Sequence, residues 1–339
     1  MDTHHLIVHS LEHHPDADSA QLKTRTSPLP QDSISEALLE QLVAGYGRQA
    51  EKAYGRFGDN NSAFCRWLQS YLAGELSFTH LSQEVARALN SSFEQAGLSV
   101  SGFIVLAHYR HALSEYLMVT ALPSMPNTAI TDQLELFGTT QIDLGRLSAA
   151  AQINLTQLRA QSPDERYLSW LTPRSAKRTG DHLAAFLDCQ PHSSSRTDTD
   201  TLLHAVSSYC DTVGRRGDTE IKRKVFEFCD QQLHSGEGVC VQALSKHIST
   251  ENPELFSRCL PQSPSPCSPL QPSRNQLKKL VRYNGRDTDL AISFDSRAYG
   301  SRILYDEATD TLTIVGLPAP LKRQLAGEER HDVEPTSPA

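Results

Sequence analysis

Gly102-Phe103-Ile104-Val105-Leu106-Ala107-His108-Tyr109-Arg110 decides how this chain folds. It is a strongly apolar stretch and reads as a buried strand. Glu115 to Leu122 reads as a second strand, stopped by Pro123. Ala149–Leu155 and Tyr167–Leu171 add two more. Upstream, Leu6–Leu11 is a strand with Ala20–Thr26 as its partner, and Asp16-Ala17-Asp18-Ser19 supplies the turn. Helices lie between these strands. Ser33 and Glu36 have capping-box spacing, and the helix behind them carries Leu38, Leu42 and Tyr46 on one stripe, with Leu39 and Val43 beside it. Ser62–Leu72 and Phe78–Ala96 are further helices, the second closed by Gly97 as a C-cap residue. Strands and helices do not alternate regularly, so the class is α+β, with a mixed sheet packed by helices.

The second half turns helical. Ser175–Leu187, Thr201–Val213, Asp218–His234 and Val239–Ile248 all have helical periodicity, and Asp218 is placed to cap the third. Residues 261–273 hold five prolines and read as a semi-extended linker. A small module follows: a basic segment, a strand Leu290–Phe294, a hairpin of Arg302–Tyr305 with Thr311–Val315, and a short helix Pro318–Leu325. The expected organisation is an α+β domain over 1–172, a helical region over 173–260, the linker 261–273, a C-terminal module over 274–326, and a polar, disordered tail over 327–339. A length of 339 residues exceeds the ~250–300 at which one core stops growing, in line with several domains.

No stretch approaches the ~20 apolar residues of a membrane helix, and the start lacks a basic leader followed by an apolar run, so neither membrane nor export is expected. Seven cysteines are scattered without a Cys-x-x-Cys pair, which suits buried thiols in a reducing compartment and excludes a zinc ribbon or a disulfide scaffold. No phosphate-binding Gly-rich loop, nucleophile elbow, HExxH or zinc finger is present. No cofactor is implied. Histidines 4, 5, 9, 13 and 14 are numerous, but on a strand His5 and His9 share one face and His4 the other, so a metal centre is not expected.

The formal net charge is −8, yet its distribution is uneven. Residues 1–100 hold 7 Lys/Arg against 12 Asp/Glu; residues 201–339 hold 17 against 18. Arg274, Lys278, Lys279, Arg282 and Arg286 form a run of five cations without an anion. As a helix, 275–282 would set Lys278 and Arg282 on one face, with Lys279 adjacent, and could lay a cationic ridge along a phosphate backbone. An ordinary solvated face has the same pattern. Arg174, Lys177 and Arg178 open another helix, where amides and cations together attract an anion. Arg215, Arg216, Lys222, Arg223 and Lys224 are diluted by Asp218 and Glu220 and read as a surface salt-bridge network. His108, Arg110 and Glu115 could be acid, anion clamp and base, or simply the point where a buried strand meets solvent.

Several segments in order resemble the bacterial nucleoid-associated protein family known as YejK or NdpA. They are Lys52-Ala53-Tyr54-Gly55 with Phe57, Gly102-Phe103 leading into His108-Tyr109-Arg110, and Glu115-Tyr116-Leu117. Ile153-Asn154-Leu155 with Arg166-Tyr167-Leu168, Phe186-Leu187 and Leu244-Ser245-Lys246 follow. Ile292-Ser293-Phe294-Asp295, Arg302-Ile303 and Asp306 through Gly316, with Pro318 and Leu325, close the set. The matches run from about residue 6 to residue 325; the linker at 261–273 and the histidine-rich start depart from the pattern. The resemblance implies a cytosolic protein at the bacterial chromosome, in contact with double-stranded DNA or with nucleoid proteins, and it implies no catalytic residues. The expected function is sequence-tolerant DNA binding through clustered Lys/Arg. The alternatives are an adaptor recruited by a DNA-bound protein such as a topoisomerase, and an enzyme using His108, Arg110 and Glu115. A homo-oligomer is left open.

Overall fold

The computed structural model describes residues 1–13, 20–58, 62–98, 100–147, 149–160, 166–172, 177–215, 217–234, 238–260 and 269–328. The turn at 16–19, Arg174, Arg216, most of the proline-rich stretch and the tail from 329 lie outside them.

The fold is α+β. Its main sheet uses β1 (Asp2–His13), β2 (Ala20–Lys23), β3 (Lys52–Phe57), β4 (Gly102–His111), β5 (Ser114–Ile130), β6 (Leu136–Ile142), β7 (Ala149–Asn154), β8 (Leu168–Leu171) and β9 (Cys189–Ser194). The order is β2-β1-β4-β5-β7-β8-β3-β9, with β6 paired to the outer part of β5. All of its pairings are antiparallel. Successive side chains alternate between two buried faces, as strand geometry requires. Ile104, Leu106, Leu117 and Val119 face a core shared with α2 (Ala63–Leu72), α3 (Phe78–Gln95) and α5 (Lys177–Phe186). Val105, Ala107, Tyr109 and Met118 face the opposite core, closed by Leu39, Leu42 and Tyr46 of α1 (Ser33–Arg48). A third core joins α6 (Ser195–Thr212), α7 (Thr219–His234), α8 (Val241–Ile248), α9 (Leu255–Arg258) and α10 (Arg274–Leu277). The one-turn α4 (Leu155–Arg159) follows β7. Two hairpins, β10 (Arg282–Arg286) with β11 (Ala291–Asp295) and β12 (Ile303–Asp306) with β13 (Thr311–Ile314), precede α11 (Ala319–Glu328).

Local chemistry corrects several expectations. Asp32, not Ser33, caps α1, accepting from the Ser35 amide at 2.9 Å. Pro123 does not stop β5, which runs to Ile130. The missing amide is tolerated because Pro123 falls in the gap between two partners on one edge, after the pairing with β7 ends at Ala121 and before that with β6 begins at Ser124, while its carbonyl still accepts from the Asp143 amide at 3.0 Å. His4 does not stay opposite His5: a bulge between Thr3 and His5 brings both rings towards His108, with centroids 4.9 and 6.4 Å away. The sheet also reaches into the stretch read as helical, because β9 pairs with β3. Gly55 permits this approach, since a Cβ there would lie 1.9 Å from the Gln190 carbonyl oxygen. At the described end of the proline-rich stretch, Leu270 is buried and exchanges backbone hydrogen bonds with Val239.

The basic segment differs most. Only Arg274–Leu277 is α-helical; 278–280 is a 3-10 turn, and Arg282–Arg286 is a strand. Tyr283 stacks near Phe294 and Tyr299, at 5.3 and 5.4 Å between centroids, and this cross-strand packing outweighs the helical alternative. The expected single helical ridge does not form.

A candidate nucleic-acid interface

Asp218 starts α7 by accepting from the amides of Glu220 (2.8 Å) and Ile221 (3.1 Å). Ile221, Val225 and Cys229 then face the third core, which sets the neighbouring cations on the outer side. Most of these are neutralised locally. Arg215 pairs with Asp218 (3.5 Å), Arg223 with Glu227 (3.8 Å) and Lys224 with Glu220 (3.3 Å). Lys222 has no ion-pair partner among the described residues; its i−4 acid, Asp218, is engaged as the cap.

The C-terminal segment is laid along the same helix. Arg274 clamps Asp230 of α7 with two guanidinium hydrogen bonds, and Leu277 and Leu280 are buried in the third core. The chain then runs back towards the start of α7. A notch of about 30 Å³ results, lined by Thr219, Lys222, Lys279, Arg282, Tyr283 and Ser296. It has room for an oxygen atom or two of an anion, not for a small organic substrate. Lys279 and Arg282 also have no ion-pair partner among the described residues. Asp295 stands opposite Arg282 in the β10–β11 register, but Arg297 holds its carboxylate at 3.0 Å. Hydrogen bonds from Arg297 keep that carboxyl below its ordinary pKa. The patch of Lys222, Lys279, Arg282, Arg297 and Asp295 is therefore net positive, and within a Debye length of roughly 8 Å that local charge outweighs the distant excess of acids.

The remaining predicted contacts fare differently. Arg274 is tied to Asp230, so it positions the segment instead of offering a free charge. Lys278 is exposed and donates to Asn275 at 3.3 Å. Arg286 is exposed at the far end of β10, next to Asp287. Lys177 and Arg178 open α5, which packs on the sheet, so the structure does not join them to 274–286. Arg178 donates to the Ala96 carbonyl at 3.1 Å, capping the end of α3. Lys222 was hidden in a run that looked uniformly salt-bridged; its one signal was the double duty required of Asp218.

His108, Arg110 and Glu115 do meet at one edge of the sheet. Glu115 is clamped by Arg159 (2.6 Å) and Arg110 (3.1 Å), whose hydrogen bonds bring its pKa down to about 2. His108 is buried and shares a 2.6 Å hydrogen bond between Nδ1 and the Tyr71 hydroxyl. Burial, then His4, lowers it to about 4. At neutral pH the imidazole is uncharged, and its Nε2 lies 3.8 Å from Glu115, beyond hydrogen-bond reach. Among the described residues no group of three or more His, Cys, Asp or Glu is placed to hold a metal ion.

This arrangement has a consequence for stability. His9 is also fully buried and lowered to about 4, chiefly by desolvation. Below pH 6.5 the unfolded chain takes up protons that folded His9 and His108 refuse. Their contribution is thus complete above pH 6.5 and is lost as pH falls towards 4, by up to about 3 kcal/mol each. Glu115 acts later, between pH 4.5 and about 2, with the same sign. Urea unfolding midpoints measured from pH 7 to 4 should fall steeply. His108→Asn, which keeps an acceptor for Tyr71, should remove about half of that slope; an unchanged slope would contradict the assignment.

Fold and site together define a class: an acidic α+β scaffold that carries, among the described residues, a small cationic notch. Comparison with known sequences narrows this. The family described as nucleoid-associated protein YejK matches residues 7–322, and the chain belongs to that family. It is 31% identical over 330 residues to a nucleoid-associated protein of Pseudomonas fluorescens (strain Pf0-1), covering 96% of this chain and 99% of the relative. A nucleoid-associated protein of Azotobacter vinelandii is 31% identical, with 96% and 98% covered. One from Actinobacillus pleuropneumoniae serotype 5b is 32% identical over 326 residues, with 95% and 97% covered. Among the described residues no helix is long and apolar enough to cross a membrane.

Proposed function

We infer that this chain binds double-stranded DNA directly, in the cytoplasm, with little sequence preference and without catalysing a reaction. The observation that carries the reading is the convergence of Lys222 with Lys279 and Arg282. Two segments far apart in sequence bring three cations to one notch, while Arg223, Lys224 and Arg274 beside them are all paired. Cations left unpaired release counterions when they meet phosphates, and that release drives sequence-independent binding. The notch faces a phosphate, which positions a protein on the duplex without reading its bases.

The test is a fluorescence-anisotropy titration of the full chain with duplexes of unrelated sequence, repeated across salt. Three contacts predict a slope of log affinity against log salt of about −3, and similar affinities for all duplexes. A flat salt response would sink the reading. The net charge of −8 favours a second reading, an adaptor recruited by a DNA-bound protein such as a topoisomerase. That reading expects no DNA shift even at low salt, together with retention of the partner in a pull-down.

A further inference from the structure

The β10–β11 ribbon carries aromatic rings beside the cations of the notch. Tyr283 stands directly opposite Phe294 in the register, so the two share one face of the ribbon. Tyr299 follows the 3-10 turn at 296–298 and packs near Tyr283, with ring centroids 5.4 Å apart. Both tyrosines stay open to solvent: Tyr283 is 43% exposed and Tyr299 46%. Gly285 lies two residues on from Tyr283, on the same face, and a Cβ there would meet nothing within 4 Å. The strand therefore leaves open space along one flank of the Tyr283 ring. Tyr305 is equally exposed, but its hydroxyl donates to Asp310 at 2.9 Å, which sets an acid beside it.

The surroundings of the two rings select what covers them. Tyr283 lines the same notch as Lys222, Lys279 and Arg282. The acid on this side of the ribbon, Asp295, is held by Arg297, and Asp287 and Asp289 lie at the turn beyond Arg286, at the other end of β10. A ligand that uses both features needs an anion and, attached to it, a flat unsaturated face. A nucleotide has both. An intact duplex keeps its base faces stacked on one another and offers only their edges in the grooves. An unpaired stretch frees those faces to stack on aromatic side chains while its backbone follows the cations. An acidic peptide of aliphatic residues would supply the charge without the flat face.

We propose, resting on the phosphate contact of the notch, that Tyr283 and Tyr299 form a stacking platform for unpaired bases, so that the protein favours single-stranded stretches over intact duplex. A phosphate held by Lys222, Lys279 and Arg282 brings its nucleotide alongside the Tyr283 ring, because ring and cations line one notch. Tyr299, next to that ring, extends the aromatic surface along the strand's path. Stacking uses a face that every base has, so the preference is for strandedness and not for sequence.

Anisotropy titrations of the full chain at one salt concentration compare an intact duplex, the same duplex with a short single-stranded gap, and the free single strand. The gapped duplex should bind at least about fivefold tighter than the intact one, the gain expected from one stacked base. Tyr299→Leu keeps an apolar contact for Tyr283 but removes a stacking face, and should bring that ratio towards one; Tyr299→Phe should preserve it. Should the leucine variant not fold, the wild type decides: ultraviolet cross-linking to a strand carrying iododeoxyuridine should label Tyr283 or Tyr299. Poly-glutamate of equal charge should displace the single strand far less well than unlabelled strand does. Equal affinity for gapped and intact duplex would overturn the platform while leaving duplex binding in place. Label confined to other residues, or displacement by poly-glutamate as effective as by the strand, would overturn it too. Failure of all three DNAs to bind would remove the platform and the duplex reading together.

Discussion

The triple variant Lys222→Ala/Lys279→Ala/Arg282→Ala is expected to bind duplex DNA at least tenfold more weakly than the wild type at moderate salt. The salt slope should flatten by close to three contacts' worth, about 0.9 each. The reason is local. These three side chains share the notch and make no ion-pair contact among the described residues, and Asp295, the acid opposite Arg282, is held by Arg297, so each can exchange water and counterions for phosphate. A matched control separates this from bulk charge. Lys177→Ala/Arg223→Ala/Lys224→Ala removes the same formal charge from residues that lie on α5 or are paired to Glu227 and Glu220. Exposed i,i+4 pairs contribute little to stability, so both triple variants should fold. The control should stay within about twofold of the wild type, since screening over roughly 8 Å confines the benefit of a cation to its surroundings. Equal losses in the two variants would mean that net charge alone governs binding, and the notch would have no special role.

How much of this was legible in the sequence depends on what holds each element. β4 and the long amphipathic helices could be read because their apolar pattern is their own; Leu81, Val85, Leu89 and Phe93 of α3 are all buried at helical spacing. β3 and β9 could not. Lys-Ala-Tyr-Gly-Arg-Phe and Cys-Gln-Pro-His-Ser-Ser have little β pattern, and they are strands because they pair with each other and because β3 also pairs with β8. The same competition explains the basic segment. Its residues suit a helix until Tyr283 meets Phe294, a contact supplied by a residue eleven positions further on. Of the candidate site, the charges at 279 and 282 were visible. Their pairing with Lys222 was not, because it depends on the antiparallel return of the chain along α7, which the Arg274–Asp230 clamp fixes.

That return also rests on a buried ion pair, and Arg166→Met is expected to destabilise the fold by about 3–5 kcal/mol. Arg166 and Asp198 side chains are each 7% exposed, and Nη1 lies 3.4 Å from the carboxylate. Arg166 also donates to the Pro269 carbonyl at 2.7 Å, while Asp198 accepts from the Gln271 amide at 2.7 Å. Two residues on, the Ser273 amide donates to Thr199 at 2.8 Å. Start of β8, start of α6 and entry to α10 are thus bound in one polar knot. Removing the guanidinium leaves a carboxylate buried without its counter-ion, which costs more than the pair contributes net. Burial already raises the pKa of Asp198 in the folded protein. A raised folded pKa gives a contribution complete below the unfolded value of 3.8 and lost as pH rises through the folded one, so this group is not a source of acid lability. In Arg166→Met the shift should grow, and part of the lost stability should return as pH is lowered through the folded pKa. Arg166→Met/Asp198→Asn should recover part of it at neutral pH, since the amide oxygen can still accept from Gln271 without a buried charge. Urea unfolding of the wild type, the single variant and the double variant decides the matter. A loss below about 1 kcal/mol, the range of exposed pairs, would show that water reaches the knot and that the segment carrying Lys279 and Arg282 is held by apolar packing alone.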